Sequence, residues 1–123
     1  MLLKFDNFEI KLNLDKSETA LKLAKLSSFK AQINTRGEEI YFETTNLSIK
    51  PDKNARDIVT FGEVAYWCEG HSIAIGFGKT AVFNDNEIRL VSKINVFDTF
   101  STSTKVLNNL KKIINYDNLS III

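Results

Sequence analysis

Short runs in which apolar and polar residues alternate recur along most of this chain. The clearest is 8–14, where every even position is apolar and every odd position is polar. This two-residue period is that of a half-buried β-strand. Similar runs follow, separated by turn residues every eight to twelve residues, which is typical of a β-barrel or β-sandwich. The predicted strands are 2–5, 8–14, 29–34, 40–45, 58–61, 64–68, 73–77, 88–91, 94–97 and 118–123.

Two segments instead show the period of an amphipathic α-helix. The first begins near Ser17, whose hydroxyl can cap a first-turn amide, and a capping box between Asp15 and Glu18 is the competing start. The second follows Thr102 or Ser103 and has apolar residues at 106, 107, 110, 113 and 114 on one face. Because two helices cannot cover both faces of a large parallel sheet, the sequence predicts a closed β-barrel whose ends the helices cap.

Size and charge limit the classes of function. The chain of 123 residues is long enough for one domain, 1–123, with a sizeable core. A net charge of +1 gives no field to attract nucleic acid or an anionic membrane, and no apolar run could span a bilayer. Neither partner is therefore expected. The single cysteine excludes an internal disulfide, and the N-terminus does not resemble a secretory signal, so a cytoplasmic location is expected.

Few residues suggest chemistry. Cys68 and His71 are three positions apart, and a thiol–imidazole pair can act as nucleophile and base, but a free cysteine is more often a small buried filler. One histidine and one cysteine fall short of a structural zinc site, so neither a metal nor another cofactor is expected. The segment GFGKT at 76–80 ends like a phosphate-binding loop, but it lacks the earlier glycine and the following helix that such a loop requires.

A series of short motifs resembles, in order, a family of small archaeal and bacterial proteins with a cyclophilin-like fold. The motifs are NAR at 54–56, GEVAYW at 62–67, FGKT at 77–80, EIR at 87–89 and INV at 94–96. The resemblance covers nearly the whole chain and implies an eight-stranded barrel capped by two helices. It also implies an atypical cyclophilin, a class without an established prolyl isomerase activity. Lys79 and Ala81 stand where the family commonly has proline, which predicts a more flexible loop after Phe77.

The function expected from these features is binding without catalysis. A small molecule or an extended peptide would lie in a shallow cleft near one barrel rim, where arginines hold an anionic or carbonyl group. Weak peptidyl-prolyl isomerase activity is the alternative, and the loops 46–56 and 78–86 are either lids or simple connectors. Tyr66 and Phe83 are further candidates for the pocket walls. The predicted ligand-binding residues are Arg36, Tyr41, Arg56, Trp67, Phe77 and Asn95.

Overall fold

The structure is a computed structural model that describes residues 1–13, 16–80 and 87–123. Leu14, Asp15 and Phe83, with most of the predicted loop 78–86, lie outside these ranges. The described chain is mainly β with two helices, as predicted, and neither helix is long and apolar enough to cross a membrane. The elements are β1 (Leu2–Lys4), β2 (Glu9–Lys11), α1 (Glu18–Ala24), β3 (Phe29–Gln32), β4 (Asn34–Thr35), β5 (Glu39–Glu43), β6 (Arg56–Val59), β7 (Glu63–Trp67), β8 (Ser72–Gly76), β9 (Ile88–Thr99), α2 (Thr104–Lys111) and β10 (Asn118–Ile122).

The strands form two antiparallel sheets around a shared core. The four-stranded sheet has the order β2-β1-β10-β3, and the six-stranded sheet has the order β4-β5-β8-β7-β9-β6. Leu3 and Leu119 of the first sheet are buried in the same cluster as Phe42 and Ile73 of the second. Leu110 of α2 joins them there. One apolar face of each sheet therefore points into this main core.

The predicted closed eight-stranded barrel is not supported, because the two sheets are open. The chain passes from one sheet to the other at Ile33. Before this residue β3 pairs with β10, and after it β4 pairs with β5. Elsewhere in the described ranges, a single isolated bridge between Asn13 and Thr99 joins the two sheets. A closed barrel requires every strand edge to be paired with a neighbour. Here β3 and β5 diverge, so the ring of hydrogen bonds is interrupted between them.

Strand β9 is bent, and its first half covers the outer face of the six-stranded sheet. Ile88 pairs with Val59, whereas Thr99 pairs with Glu63. A straight 12-residue strand would separate its ends by roughly 36 Å, which the short link between Val59 and Glu63 does not allow. This covering produces a second, smaller core on the outer face. Its buried members are Val59, Ala65, Ala74, Leu90 and Ile94.

Each helix begins at one of the N-cap residues that the sequence offered: Ser17 for α1, and Ser103 rather than Thr102 for α2. The Ser17 hydroxyl accepts a hydrogen bond from the Ala20 amide at 3.1 Å. The Ser103 hydroxyl accepts one from the Val106 amide, also at 3.1 Å. Each bond satisfies an amide that has no carbonyl partner inside the first helical turn.

Candidate ligand-binding site

The turn between β4 and β5 places Arg36 and Glu39 side by side. The Arg36 amide donates to the Glu39 carbonyl at 3.0 Å and closes the turn. Gly37, inside the turn, has a φ of +60°, which glycine adopts without the steric cost that a side chain would incur. A Cβ at Gly37 would also lie 2.7 Å from the carbonyl oxygen of Lys79. Glycine is therefore required here on two grounds.

The Arg36 guanidinium lies against two aromatic rings on the outer face of the six-stranded sheet. Its Cζ is 4.8 Å from the Tyr41 ring centroid and 5.1 Å from the Trp67 ring centroid, within the range of cation–π attraction. The two rings meet edge to face, with centroids 5.7 Å apart. Trp67 Nε1 donates to Ser92 Oγ at 2.7 Å. We refer to Arg36, Glu39, Tyr41, Trp67 and Ser92 as the Arg36 cluster.

Small residues on the neighbouring elements make room for these rings. Ala74, on the central strand β8, pairs with Tyr41 on one side and with Ala65 on the other. Because paired residues in an antiparallel sheet share a face, no large side chain stands beside Tyr41 on the β8 side. Gly70, in the turn after β7, lies directly against Trp67, and a Cβ there would be 2.2 Å from Trp67 Cε3. The indole therefore fills the space that a side chain at this position would occupy.

The Glu39 carboxylate is almost completely buried and orients the guanidinium. The Glu39 side chain is 2% exposed, and that of Arg36 is 24% exposed. Arg36 Nε donates to Glu39 Oε1 at 3.3 Å, and Nη2 donates to Oε2 at 3.5 Å. Burial raises the pKa of Glu39 above its ordinary value, although the hydrogen bond and charge of Arg36 act in the opposite direction. Both bonds are long for an ion pair, and Nη1 has no hydrogen-bond partner among the described residues.

Arg56 lies across β9 from Trp67, but its side chain is already engaged. Arg56 and Trp67 both pair with Ile94, which places their Cα atoms about 10 Å apart. The guanidinium donates to both Glu63 carboxylate oxygens, at 3.1 and 2.6 Å, and to the Ile58 carbonyl at 2.9 Å. The hydrogen bond with Glu63 raises the pKa of Arg56 further above its already high value. Arg56 is thus a neighbour of the Arg36 cluster, held by a carboxylate of its own.

Phe77 and Asn95 lie on the opposite face from the Arg36 cluster. Phe77 packs in the main core. Asn95 pairs with Tyr66, another main-core residue. The Asn95 side chain donates to Thr19 Oγ1 at 3.1 Å and to the Lys50 carbonyl at 2.9 Å, and it accepts from the Asp52 amide at 2.9 Å. It therefore fastens the loop before β6 to α1 and β9.

Cys68 and His71, in the turn between β7 and β8, do not form an activated nucleophile. The Cys68 thiol is buried and directed at the Tyr66 carbonyl, with sulfur and oxygen 3.8 Å apart. Burial raises the pKa of this thiol, as do the charges of Asp52 and Glu69, so the reactive thiolate is disfavoured. His71 Nδ1 is buried and has no hydrogen-bond partner among the described residues. Within the described ranges, no three side chains of metal-ligating type are grouped together.

Two members of the Arg36 cluster were missed in the sequence. Glu39 precedes Tyr41 by two positions, so strand alternation alone puts both on one face. That signal was available. Ser92 had no comparable signal, since it reaches Trp67 only because β9 bends over the sheet, 25 positions further along the chain.

The fold is that of a mainly β protein with two open antiparallel sheets around one core. The guanidinium–aromatic cluster lies on the outer face of the six-stranded sheet. The sequence profile of the cyclophilin-like family matches residues 1–120, and the chain belongs to this family. A similar solved structure is that of a hypothetical protein from Archaeoglobus fulgidus, determined in solution. It is 30% identical, with a TM-score of 0.78 over 98% of this chain and 91% of that chain. No curated protein matches the sequence significantly. The predicted family is confirmed.

Proposed function

We propose that the Arg36 cluster binds a small molecule or an extended peptide, without catalysing a reaction. The observation that carries the proposal is the position of the Arg36 guanidinium, which rests on two aromatic rings while Nη1 lacks a partner among the described residues. An apolar wall with a fixed, partly exposed donor is the usual composition of a ligand site. A planar donor favours carboxylate and carbonyl groups in particular.

The surroundings support binding of an anionic or carbonyl group. Glu39 holds the guanidinium against Tyr41 and Trp67, so little side-chain freedom remains to be lost when a ligand arrives. The parts of Tyr41 and Trp67 that remain exposed offer apolar contact area beside the donor. Arg56, about two strands away, adds positive charge at the edge of the surface although Glu63 partly neutralises it.

Two groups with nucleophilic or basic chemistry, Glu39 and Cys68, are not activated in the described part of the chain, which favours binding over covalent chemistry. Glu39 is nearly inaccessible and paired with Arg36. The Cys68 thiol is buried, and its raised pKa keeps it protonated at neutral pH. Neither residue is placed to attack or deprotonate a ligand that lies on the rings.

Weak peptidyl-prolyl isomerisation is the second candidate. A guanidinium beside an aromatic wall supports it, since the donor could stabilise the twisted imide while the proline ring packs on Trp67. A protease-coupled assay with a proline-containing peptide separates the two candidates. A rate above background that disappears when the Arg36 guanidinium is removed would replace the binding-only proposal by the isomerase.

The binding proposal is tested by thermal-shift screening with a set of small carboxylates, amides and proline-containing peptides. A ligand that binds only the folded state raises the melting temperature by mass action. The matched variants are Glu39→Gln and the double variant Glu39→Gln/Arg36→Gln, because removing Arg36 alone would leave a buried carboxylate unpaired. We expect the shifts to persist in the single variant and to vanish in the double variant. Shifts that survive the loss of Arg36, or no shift with any compound, would contradict the proposal.

A further inference from the structure

Each of the three arginines in the chain pairs with at least one carboxylate. Arg36 pairs with Glu39, and its neighbour Arg56 pairs with Glu63. The Glu39 side chain is almost completely buried, so salt and water screen its charge only weakly at Arg36. While Glu39 is ionised, the Arg36 cluster therefore offers a hydrogen-bond donor whose positive charge is already balanced.

Charged groups in the turn and on β5 do not change this balance. Glu43 is exposed and stands two positions after Tyr41, on the same face of β5. Glu38, in the turn, accepts from the Lys79 amide at 3.3 Å and lies 4.0 Å from the Lys111 ammonium group. Glu43 thus adds negative charge on the face of the cluster, and Glu38 is engaged elsewhere.

The other neighbouring elements carry charged or titratable groups that do not bond to the guanidinium. On β9, Lys93 follows Ser92 by one position, so its side chain points to the opposite face of the strand. In the turn that packs against Trp67, Glu69 is exposed and His71 is half-buried. Within the described ranges, the guanidinium has hydrogen bonds only with Glu39, so the charge state of that residue sets the charge that a ligand meets.

A ligand would meet Arg36 at its two terminal nitrogens. Glu39 takes the edge of the guanidinium between Nε and Nη2, which leaves the adjoining edge between Nη1 and Nη2. A ligand carboxylate there would lie about 4 Å from the centre of the guanidinium and about 7 Å from the Glu39 carboxylate. Because Coulomb energy falls inversely with distance, repulsion from Glu39 would cancel more than half of the attraction to Arg36. The remainder must offset the lost hydration of the ligand's charge, a cost that an uncharged carbonyl group does not have.

Protonation of Glu39 would remove this repulsion. Two carboxylates that share one site do not readily both stay ionised, so a bound carboxylate favours the protonated form of Glu39. Burial already raises the pKa of Glu39, which lowers the cost of protonating it. The protonated side chain fills the same space and can still accept a hydrogen bond from Arg36.

We propose that the ligand of the Arg36 cluster is an uncharged carbonyl compound, such as an amide attached to an apolar group, and that a carboxylate binds well only when Glu39 is protonated. The carbonyl oxygen would accept from Nη1 while the apolar group packs on the exposed parts of Tyr41 and Trp67. This ligand class rests on the proposed function, because it concerns the same site.

The test compares amides with their parent carboxylates. The matched pairs are benzamide and benzoate, phenylacetamide and phenylacetate, and N-acetylproline amide and N-acetylproline. Each compound is titrated into the ¹⁵N-labelled full chain at about pH 5 and about pH 8, with the NMR signal of the Trp67 indole N–H as the readout. We expect the amides to bind equally well at both pH values. The carboxylates should bind about tenfold more weakly or worse at the higher pH, both relative to the lower pH and relative to their amides.

Glu39→Gln is the matched variant, because it keeps the shape of the protonated side chain and cannot ionise. At the higher pH the carboxylates should bind this variant about tenfold more tightly than wild type or better, with no dependence on pH. The variant also separates Glu39 from two other groups that titrate in this range, since His71 and the carboxyl group of the ligand are the same in both proteins.

Two results would overturn the assigned ligand class and leave the proposed function standing. One is that carboxylates bind wild type at the higher pH as tightly as their amides do, a comparison that needs no variant. The other is a pH dependence that persists in Glu39→Gln. The proposed function itself fails if no compound shifts the indole signal of either protein, or if the shifts survive in Glu39→Gln/Arg36→Gln.

Discussion

Gly70→Ala should displace Trp67 and so test how the Arg36 cluster is built. A Cβ at Gly70 would lie 2.2 Å from Trp67 Cε3, 2.3 Å from Cζ3 and 2.6 Å from Cδ2. Carbon atoms in ordinary contact are about 3.5 Å apart or more, so the indole must move by about 1 Å or more. The backbone of Trp67 is fixed by pairing with Ser72 and Ile94, so the movement falls on the side chain. The hydrogen bond to Ser92 and the contact with Arg36 should then be lost.

The free-energy cost follows from these two effects. Overpacking of a well-packed site costs about 1–3 kcal/mol. Loss of the hydrogen bond between Trp67 Nε1 and Ser92 Oγ adds about 1 kcal/mol. The variant should therefore lose about 2–4 kcal/mol of its unfolding free energy, equivalent to a fall of roughly 10 °C in melting temperature for a domain of this size.

The assay is urea unfolding followed by tryptophan fluorescence, since Trp67 is the only tryptophan in the chain. The emission of folded Gly70→Ala should shift to longer wavelength as the indole gains contact with water. Ser92→Ala is the matched control, because it removes the same hydrogen bond without a steric clash and should cost only about 1 kcal/mol. Equal stability and unchanged emission in Gly70→Ala would refute the packing described around Trp67.

Two further predictions concern Glu39 and Asn95. Because burial raises the pKa of Glu39, the unfolding free energy of wild type should fall as the pH rises from the unfolded pKa near 4.5 through the raised pKa of the folded state. Urea titrations of Glu39→Gln should show no such fall. An identical pH profile in the two proteins would contradict this prediction. Asn95→Ala removes three hydrogen bonds of a buried side chain and should cost about 2–3 kcal/mol without changing Trp67 emission. Asn46→Ala, which loses one exposed hydrogen bond from the Ser48 amide, should stay within about 0.5 kcal/mol of the wild-type stability. An equal loss of unfolding free energy in both variants would contradict the role given to the Asn95 hydrogen bonds.

The local elements could be read from the sequence because their signals are local. The alternation in residues 8–14 predicted a strand, which the structure confines to Glu9–Lys11. Ser17, and Thr102 or Ser103, were the predicted helix starts, and the helices begin at Ser17 and Ser103. Whether the sheets close into a barrel depends instead on pairing between strands that are far apart in the sequence. The alternation in β3 is the same whether Lys30 and Gln32 pair with a neighbouring strand or face a groove, so the alternation could not predict the gap beside β5.

The candidate site was predicted in part, for reasons that lie in strand parity. Arg36, Tyr41 and Trp67 were chosen for their chemistry, and the structure brings them together. Phe77 was chosen in the same way. It lies two positions after Ile75 and four after Ile73, so strand alternation places all three side chains on the core-facing side. Asn95 pairs with the core residue Tyr66, and that pairing depends on the register between β7 and β9, which no local pattern contains.

The most direct test of the binding proposal is the NMR signal of the Trp67 indole N–H. The chain has one tryptophan, so a ¹⁵N-labelled sample gives one such signal, and its hydrogen bond to Ser92 fixes it inside the Arg36 cluster. Compounds that raise the melting temperature should shift this signal in wild type and in Glu39→Gln, but not in Glu39→Gln/Arg36→Gln. Compounds that bind while leaving the indole signal unchanged in wild type would contradict the assignment of this surface as the binding site.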